Sequence, residues 1–265
     1  MDYIQVIILG IIQGVTEWLP ISSQAMVFLF SRLFFNFEHV KALEISIWLH
    51  SGTLLAAVVY FRQDIYRILI SVFKKNSSDK KNLLIFLSLA TVMTGIIALP
   101  LFLFLFWFEL PEAPFTIIIG LFLIIVAFSQ KKSRDLKIIE KSLNIHDSLI
   151  VGLVQGLAVL PGFSRSGLTI ATLLFQKYSL KNAFYLSFLM SIPIIFLAQI
   201  VLPIVQKEFI ISSTMLVGTL TAGIVGFITI KSLLKFAEKF NFFKATLILG
   251  ILIIFSGIIL LFFNI

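Results

Sequence analysis

Apolar residues in this chain run on for whole segments rather than recurring at helical or strand spacing. Six runs are long enough to cross a bilayer core of about 30 Å as helices. They are Ala42–Phe61, Asn82–Phe108, Pro114–Ser129, Asn182–Val205, Ser213–Leu234 and Phe243–Phe263. The continuity of these runs argues against a membrane β-barrel, whose strands alternate apolar and polar positions. Four other apolar stretches are too short to span: Tyr3–Ile12, Ala25–Phe35, Leu149–Leu160 and Leu168–Phe175. They form two pairs, each turning on a polar, Pro-containing segment: Trp18-Leu19-Pro20-Ile21-Ser22-Ser23, and Pro161-Gly162-Phe163-Ser164-Arg165-Ser166-Gly167. Short apolar helices on either side of a polar hinge predict two re-entrant hairpins, which enter the membrane and return on the same side.

Composition sharpens this picture. Of 265 residues, 59% are hydrophobic and 13% charged, and the mean hydropathy is +1.07. The charged share is about half that of an average soluble domain. A soluble globule and a disordered chain are both excluded. With no Cys there is no disulfide, thiolate metal site or Cys nucleophile.

The formal net charge of +8 does not point to nucleic acid, because the basic residues gather in short loops. The segment 62–81 carries Arg62, Arg67, Lys74, Lys75, Lys80 and Lys81. Segment 131–141 carries Lys131, Lys132, Arg134, Lys137 and Lys141, and segment 231–244 carries Lys231, Lys235, Lys239 and Lys244. The intervening loops hold Glu109 and Glu112, or Lys207 balanced by Glu208. The positive-inside bias places the three basic segments in the cytoplasm. Both termini then lie outside, the first hairpin enters from outside and the second from the cytoplasm. The N-terminus shows no basic n-region, so no cleavable signal peptide is expected.

The chain also repeats itself. Ile11-Ile12-Gln13-Gly14 with Leu19-Pro20 matches Leu153-Val154-Gln155-Gly156 with Leu160-Pro161, allowing one single-residue gap. Leu43-Glu44-Ile45-Ser46-Ile47-Trp48-Leu49 matches Phe184-Tyr185-Leu186-Ser187-Phe188-Leu189-Met190. We expect one membrane domain, 1–265. Its first repeat covers about 1–130, with a hairpin at 3–35 and three spans. Its second covers about 146–265, with a hairpin at 147–177 and three spans. Three is odd, so the second copy is inverted, as in many transporters whose broken helices meet near the midplane.

The hinges carry the chemistry. One brings Glu17, Ser22 and Ser23; the other brings Ser164, Arg165, Ser166 and Thr169. An intramembrane charge is costly and usually pairs or faces a wet cavity, so Glu17 and Arg165 are expected partners. As a structural ion pair they would merely lock the hairpins together. The hydroxyls shift the balance toward a ligand site. Serines after the prolines would open the returning half-helices, whose free N–H groups suit an anion. Gly162 and Gly167 would let a ligand approach the backbone, and Arg165 offers a fork for phosphate oxygens. A phosphate or diphosphate site follows.

Gln13-x-x-x-Glu17 followed by Trp18-Leu19-Pro20-Ile21-Ser22-Ser23 is similar to the first signature of undecaprenyl-diphosphate phosphatases of the bacitracin-resistance (BacA/UppP) type. Pro161-Gly162-Phe163-Ser164-Arg165-Ser166-Gly167-Leu168-Thr169 resembles their second signature. The likeness extends over essentially the whole chain. It implies hydrolysis of a polyprenyl diphosphate to the monophosphate and inorganic phosphate, recycling a lipid carrier for cell-envelope glycan synthesis, with a divalent cation (Mg²⁺ or Ca²⁺) assisting. By the same resemblance Glu17, Ser22 and Arg165 are expected to be catalytic, with Glu17 a metal ligand or acid/base group. Gln13, Ser23, Ser164, Ser166, Gly162 and Thr169 are expected to bind substrate.

Two positions depart from that pattern. The family usually has Glu where this chain has Gln13, and His where it has Met26. Gln13 can bind a metal or phosphate but cannot take a proton. Met26 cannot serve as acid, base or phosphoryl acceptor. A mechanism with Glu17 as base toward Ser22 or water survives. The competing reading is a non-catalytic lipid-phosphate transporter or flippase using the same midplane site. His50, in the first full span, is expected to be a hydrogen-bonded core residue, the alternative being that it replaces the missing His. His39 and His146 are expected to have no chemical role. The expected partners are the lipid substrate and the membrane, with no nucleic acid, and a homodimer stays open. The expected location is the plasma membrane.

Overall fold

A computed structural model describes residues 1–73, 78–107, 112–134, 142–160, 162–205, 212–236 and 242–263. Among these residues every regular element is a helix. In chain order they are α1 (Tyr3–Thr16), α2 (Ser23–Phe35), α3 (His39–Tyr60), α4 (Arg62–Ser71), α5 (Ser78–Trp107), α6 (Glu112–Arg134) and α7 (Ile145–Gly156) with a 3₁₀ turn (Leu157–Val159). Then come α8 (Arg165–Phe175), α9 (Leu180–Val205), α10 (Ser213–Phe236) and α11 (Phe242–Phe263). Pro161, Lys74, Lys75, Lys137, Lys141, Lys239, Lys207, Glu208 and Glu109 lie outside the described residues.

Among the described residues four segments are long and apolar enough to cross a membrane: Lys41–Tyr60, Asp79–Phe104, Leu180–Val201 and Ser213–Lys235. The other two expected spans fall in α6 and α11, whose described apolar stretches, Thr116–Phe128 and Thr246–Phe255, are shorter. Outward faces are apolar: Leu216, Leu220, Ile224 and Ile228, four residues apart on α10, are each at least half exposed. In water so long an apolar stripe would be an aggregation surface; against lipid tails it costs nothing.

The segment after Phe61, expected to be a loop, begins with α4. Its Ile68 is buried while Arg67 and Tyr66 face outward, so the basic residues ride on an amphipathic helix. At about 1.5 Å per residue, α1, α2, α7 and α8 are only about 16–21 Å long, well short of a bilayer core.

Each short first helix packs on a long helix from the other half of the chain. Helix α1 lies on α10, where Gly10 and Gly14 face Gly218, Ala222 and Gly226: a Cβ on Gly14 would stand 2.9 Å from Ala222 O. Helix α7 lies on α5, where a Cβ on Gly152 would stand 2.5 Å from Ala90 O. Small residues four apart let these backbones touch. Gln13 and Gln155, each three residues beyond the first glycine of its pair, are both fully buried. Between the halves a core of Trp18, Phe61, Phe86, Phe184 and Phe188 fills the space where α3, α5 and α9 meet the hinges. The second hairpin is closed at its open end: Tyr178 Oη donates to Asp147 Oδ2 (2.9 Å), and Gln176 Nε2 donates to Asp147 O (3.0 Å).

Candidate active site

The hinge after α1 and the start of α8 meet on one carboxylate. Glu17 caps the C-terminus of α1 and is 5% exposed. Its Oε1 accepts from Arg165 Nη2 at 2.5 Å. Its Oε2 accepts from Gln13 Nε2 (2.9 Å) and Ser23 Oγ (2.7 Å), and faces His50 Nε2 at 3.1 Å. One acid thus gathers side chains from α1, α2, α3 and α8. Burial of a lone carboxylate would be costly, and this set of donors offsets it.

Arg165 is held from two further directions. Its Nη1 donates to Ser187 O at 3.2 Å, and its Cζ stands 5.9 Å from the Trp18 ring, a cation–π distance. Ser187 Oγ in turn meets Thr169 Oγ1 at 2.7 Å, and Thr169 Oγ1 donates to Arg165 O at 2.8 Å. The Arg165 side chain is 13% exposed, and its guanidinium has five N–H donors, more than its bonds to Glu17 and Ser187 use.

Two serines cap helices. Ser22, the N-cap of α2, accepts from Ala25 N at 3.3 Å; Ser164, the N-cap of α8, accepts from Gly167 N at 3.1 Å. The first turns of both half-helices therefore lie beside Glu17 and Arg165. Ser166 Oγ donates to Leu19 O (2.7 Å) and meets Ser164 Oγ (3.3 Å), tying the second hinge to the first. Thr246 of α11 adds a bond to Pro20 O at 3.0 Å.

Several placements differ from the sequence reading. Gly162 and Gly167 were expected to bare backbone to a ligand. Instead both face α6: a Cβ on Gly162 would lie 2.6 Å from Ile119 Cα, and one on Gly167 would lie 2.7 Å from Val126 Cγ1. Gly162 also needs its φ of +97°, which glycine adopts without strain. These glycines permit close packing against α6. Ser22 is occupied as a cap, and Ser23 is the hydroxyl on the carboxylate. His50, expected to sit in the core, borders Glu17. Ser187 escaped sequence reasoning as a site residue, although its match to Ser46 in the internal repeat was a usable signal. His146 is exposed at the start of α7, and the side chain of His39 is outside the described residues.

The residues offer a divalent cation oxygen ligands. Gln13 Oε1 is buried without a hydrogen-bond partner, one helical turn from Glu17. A carbonyl oxygen beside a carboxylate suits Mg²⁺ or Ca²⁺, which take oxygen ligands and, for Mg²⁺, share them with substrate phosphates. Among the described residues no cluster of three His, Cys, Asp or Glu surrounds the site.

Four helices of spanning length and apolar composition mark a membrane protein, in which a paired acid and arginine lie among hydroxyls at two helix starts. Residues 6–262 match the family described as "Bacitracin resistance protein BacA", and the chain belongs to that family. It is 41% identical over 256 residues to an "Undecaprenyl-diphosphatase" of Methanococcoides burtonii, covering 94% of this chain and 96% of the relative. It is 34% identical over 270 residues to the protein of that name in Saccharolobus solfataricus (98% and 97%). An "Undecaprenyl-diphosphatase 2" of Halalkalibacterium halodurans is 40% identical over 212 residues (74% and 72%).

Proposed function

We propose that this protein hydrolyses undecaprenyl diphosphate, or a close polyprenyl analogue, to the monophosphate and inorganic phosphate. The observation that carries the reading is the 2.7 Å bond from Ser23 Oγ to Glu17 Oε2 beside the Arg165 guanidinium. A bound anion needs only donors. A hydroxyl aligned on a carboxylate base is what phosphoryl transfer adds. The family membership and the activity for which the relatives are named support the same conclusion, and neither favours the transporter reading.

The reaction balances on this chain's residues. Ser23 Oγ attacks the terminal phosphorus while its proton passes to Glu17 Oε2. The new O–P bond forms as the bond from that phosphorus to the bridging oxygen breaks. The electron pair leaves on the polyprenyl monophosphate, a good leaving group. Water then attacks the phosphoserine phosphorus as the P–Oγ bond breaks; Glu17 returns its proton to Ser23 Oγ, and the water's protons leave with the released phosphate. Arg165 opposes the charge on the transferring group. The cap N–H groups at α2 and α8 and the hydroxyls of Ser164, Ser166 and Thr169 frame the phosphate pocket. This reading moves the nucleophile's role from Ser22 to Ser23. A divalent cation brought with the diphosphate would be held by Gln13 Oε1 and Glu17, and would supply charge neutralisation of the phosphate oxygens.

The same reading sets six spans and two re-entrant hairpins, arranged as an inverted repeat, in the plasma membrane with both termini outside. It is supported by the crosswise packing of α1 on α10 and α7 on α5, by short paired helices, and by the Asp147–Tyr178 tie that closes the second hairpin. The test is ³¹P NMR of undecaprenyl diphosphate incubated with the purified protein and Mg²⁺ or Ca²⁺. The expected products are one equivalent each of monophosphate and inorganic phosphate, with release suppressed by EDTA. An unchanged diphosphate resonance with folded protein contradicts the reading.

A further inference from the structure

Helix α2 carries one ionisable side chain, Arg32, about two and a half turns beyond Ser23. Any imidazole at the Ser23–Glu17 pair must therefore come from another element. It comes from α3. His50 Nδ1 lies 2.6 Å from Ser46 O, and a carbonyl oxygen only accepts, so Nδ1 carries a hydrogen toward it. That bond fixes the ring plane and points Nε2 the other way, 3.1 Å from Glu17 Oε2 and 3.4 Å from Ser23 Oγ; a carboxylate oxygen only accepts, so in this contact Nε2 also carries a hydrogen and the ring is imidazolium.

The setting of α3 is itself fixed. Gly52, two residues on, lies against α10 so closely that a Cβ there would stand 2.1 Å from Thr219 O. Ser51 Oγ meets Thr219 Oγ1 at 3.5 Å, and Gln199 Nε2 of α9 donates to Ile47 O at 2.8 Å. Helix α3 can neither rotate nor slide without breaking these contacts. His50 thus joins a rigid spanning helix to a carboxylate and a hydroxyl borne by a short hairpin.

We propose that His50 is a positioning residue for phosphoryl transfer. Its Nε2 holds Glu17 Oε2 and Ser23 Oγ in register, while Ser46 O holds its ring. The proposal rests on the phosphatase reading above. The serine repeat gives the arrangement a counterpart: the carbonyl of Ser46 steadies His50, and the carbonyl of the matching Ser187 steadies Arg165.

The test compares His50→Asn, His50→Gln and His50→Ala with the wild type, each as purified full chain, by steady-state phosphate release from undecaprenyl diphosphate. The Asn amide nitrogen overlays Nδ1 and can keep the Ser46 bond without reaching Glu17. The longer Gln amide reaches the Nε2 position. The expected result is a fall in kcat of about 50-fold or more for Asn and Ala, KM within about threefold, and at least about a fifth of wild-type kcat for Gln. Asn and Ala variants within about twofold of wild type would overturn the proposal, as would a rise in KM at constant kcat. Equal losses in all three variants, or failure of all three to fold, would assign His50 a merely structural role and overturn it too. If Ala alone fails to fold, the Asn–Gln comparison decides. Absence of phosphate release by folded wild type would instead strike down the phosphatase reading, and this proposal with it.

Discussion

Arg165 Nη2 meets Glu17 Oε1 at 2.5 Å although 148 positions separate them in sequence. The pair joins the two hairpins at the point where both turn back, and each charge is the other's compensation. Removing one partner of a buried pair leaves an uncompensated charge, at a cost of about 3–5 kcal/mol. Arg165→Ala is therefore expected to lower the unfolding temperature in detergent far more than Arg165→Lys, which keeps the charge. The double variant Glu17→Gln with Arg165→Ala is expected to be more stable than Arg165→Ala alone. Thermal unfolding of the purified variants checks both, and strict additivity of the two single effects would contradict the coupling.

The contact of α3 with α10 makes a second, purely steric expectation. Gly52→Ala forces a methyl against Thr219 O, and overpacking of this kind costs about 1–3 kcal/mol. The shift passes to His50, two residues away, so phosphate release should fall with stability. Gly95 is the contrast, since nothing stands within 4 Å of a Cβ there. Gly95→Ala should leave both stability and activity at wild-type values. Equal behaviour of the two variants would mean that the helix crossing does not hold the site.

Much of this architecture could be read from the chain. The apolar runs marked the long helices, and the Pro-containing turns at Leu19-Pro20 and before Gly162 marked where the short ones break. The repeated Gln-Gly at 13–14 and 155–156 marked equivalent positions, and the structure buries both glutamines. What could not be read depends on rotation and distance. Ser22 and Ser23 are adjacent and chemically alike. Only the helix start decides that one caps α2 and the other reaches Glu17. His50 was visible as an ionisable residue in a span, but its direction is set by the Gly52–Thr219 crossing. Gly162 and Gly167 looked the same whether a ligand or α6 lay against them. Helix α4 was hidden because its charges, Arg62 and Arg67, read as loop signals while Ile65 and Ile68 supplied its inner face.

The absence of native cysteine allows a clean test of topology by single-cysteine labelling. Glu38, between α2 and α3, and Lys181, at the start of α9, are both exposed. In the proposed orientation Glu38→Cys reacts with an impermeant maleimide on intact cells. Lys181→Cys reacts only after permeabilisation. Labelling of both from one side would contradict the inverted arrangement.

The division of labour between the two adjacent serines tests the central claim most directly. Ser22→Ala removes an N-cap, worth about 0.5–2 kcal/mol, and leaves the hydroxyl on Glu17 in place. Ser23→Ala removes the hydroxyl and leaves the cap. Phosphate release from undecaprenyl diphosphate by the two purified variants is the measurement. The account predicts that Ser22→Ala keeps kcat within about tenfold of wild type with a lowered unfolding temperature. It predicts that Ser23→Ala loses at least about 100-fold in kcat at nearly wild-type stability. A Ser23→Ala protein that releases phosphate as fast as wild type would show that Glu17 does not act through this hydroxyl.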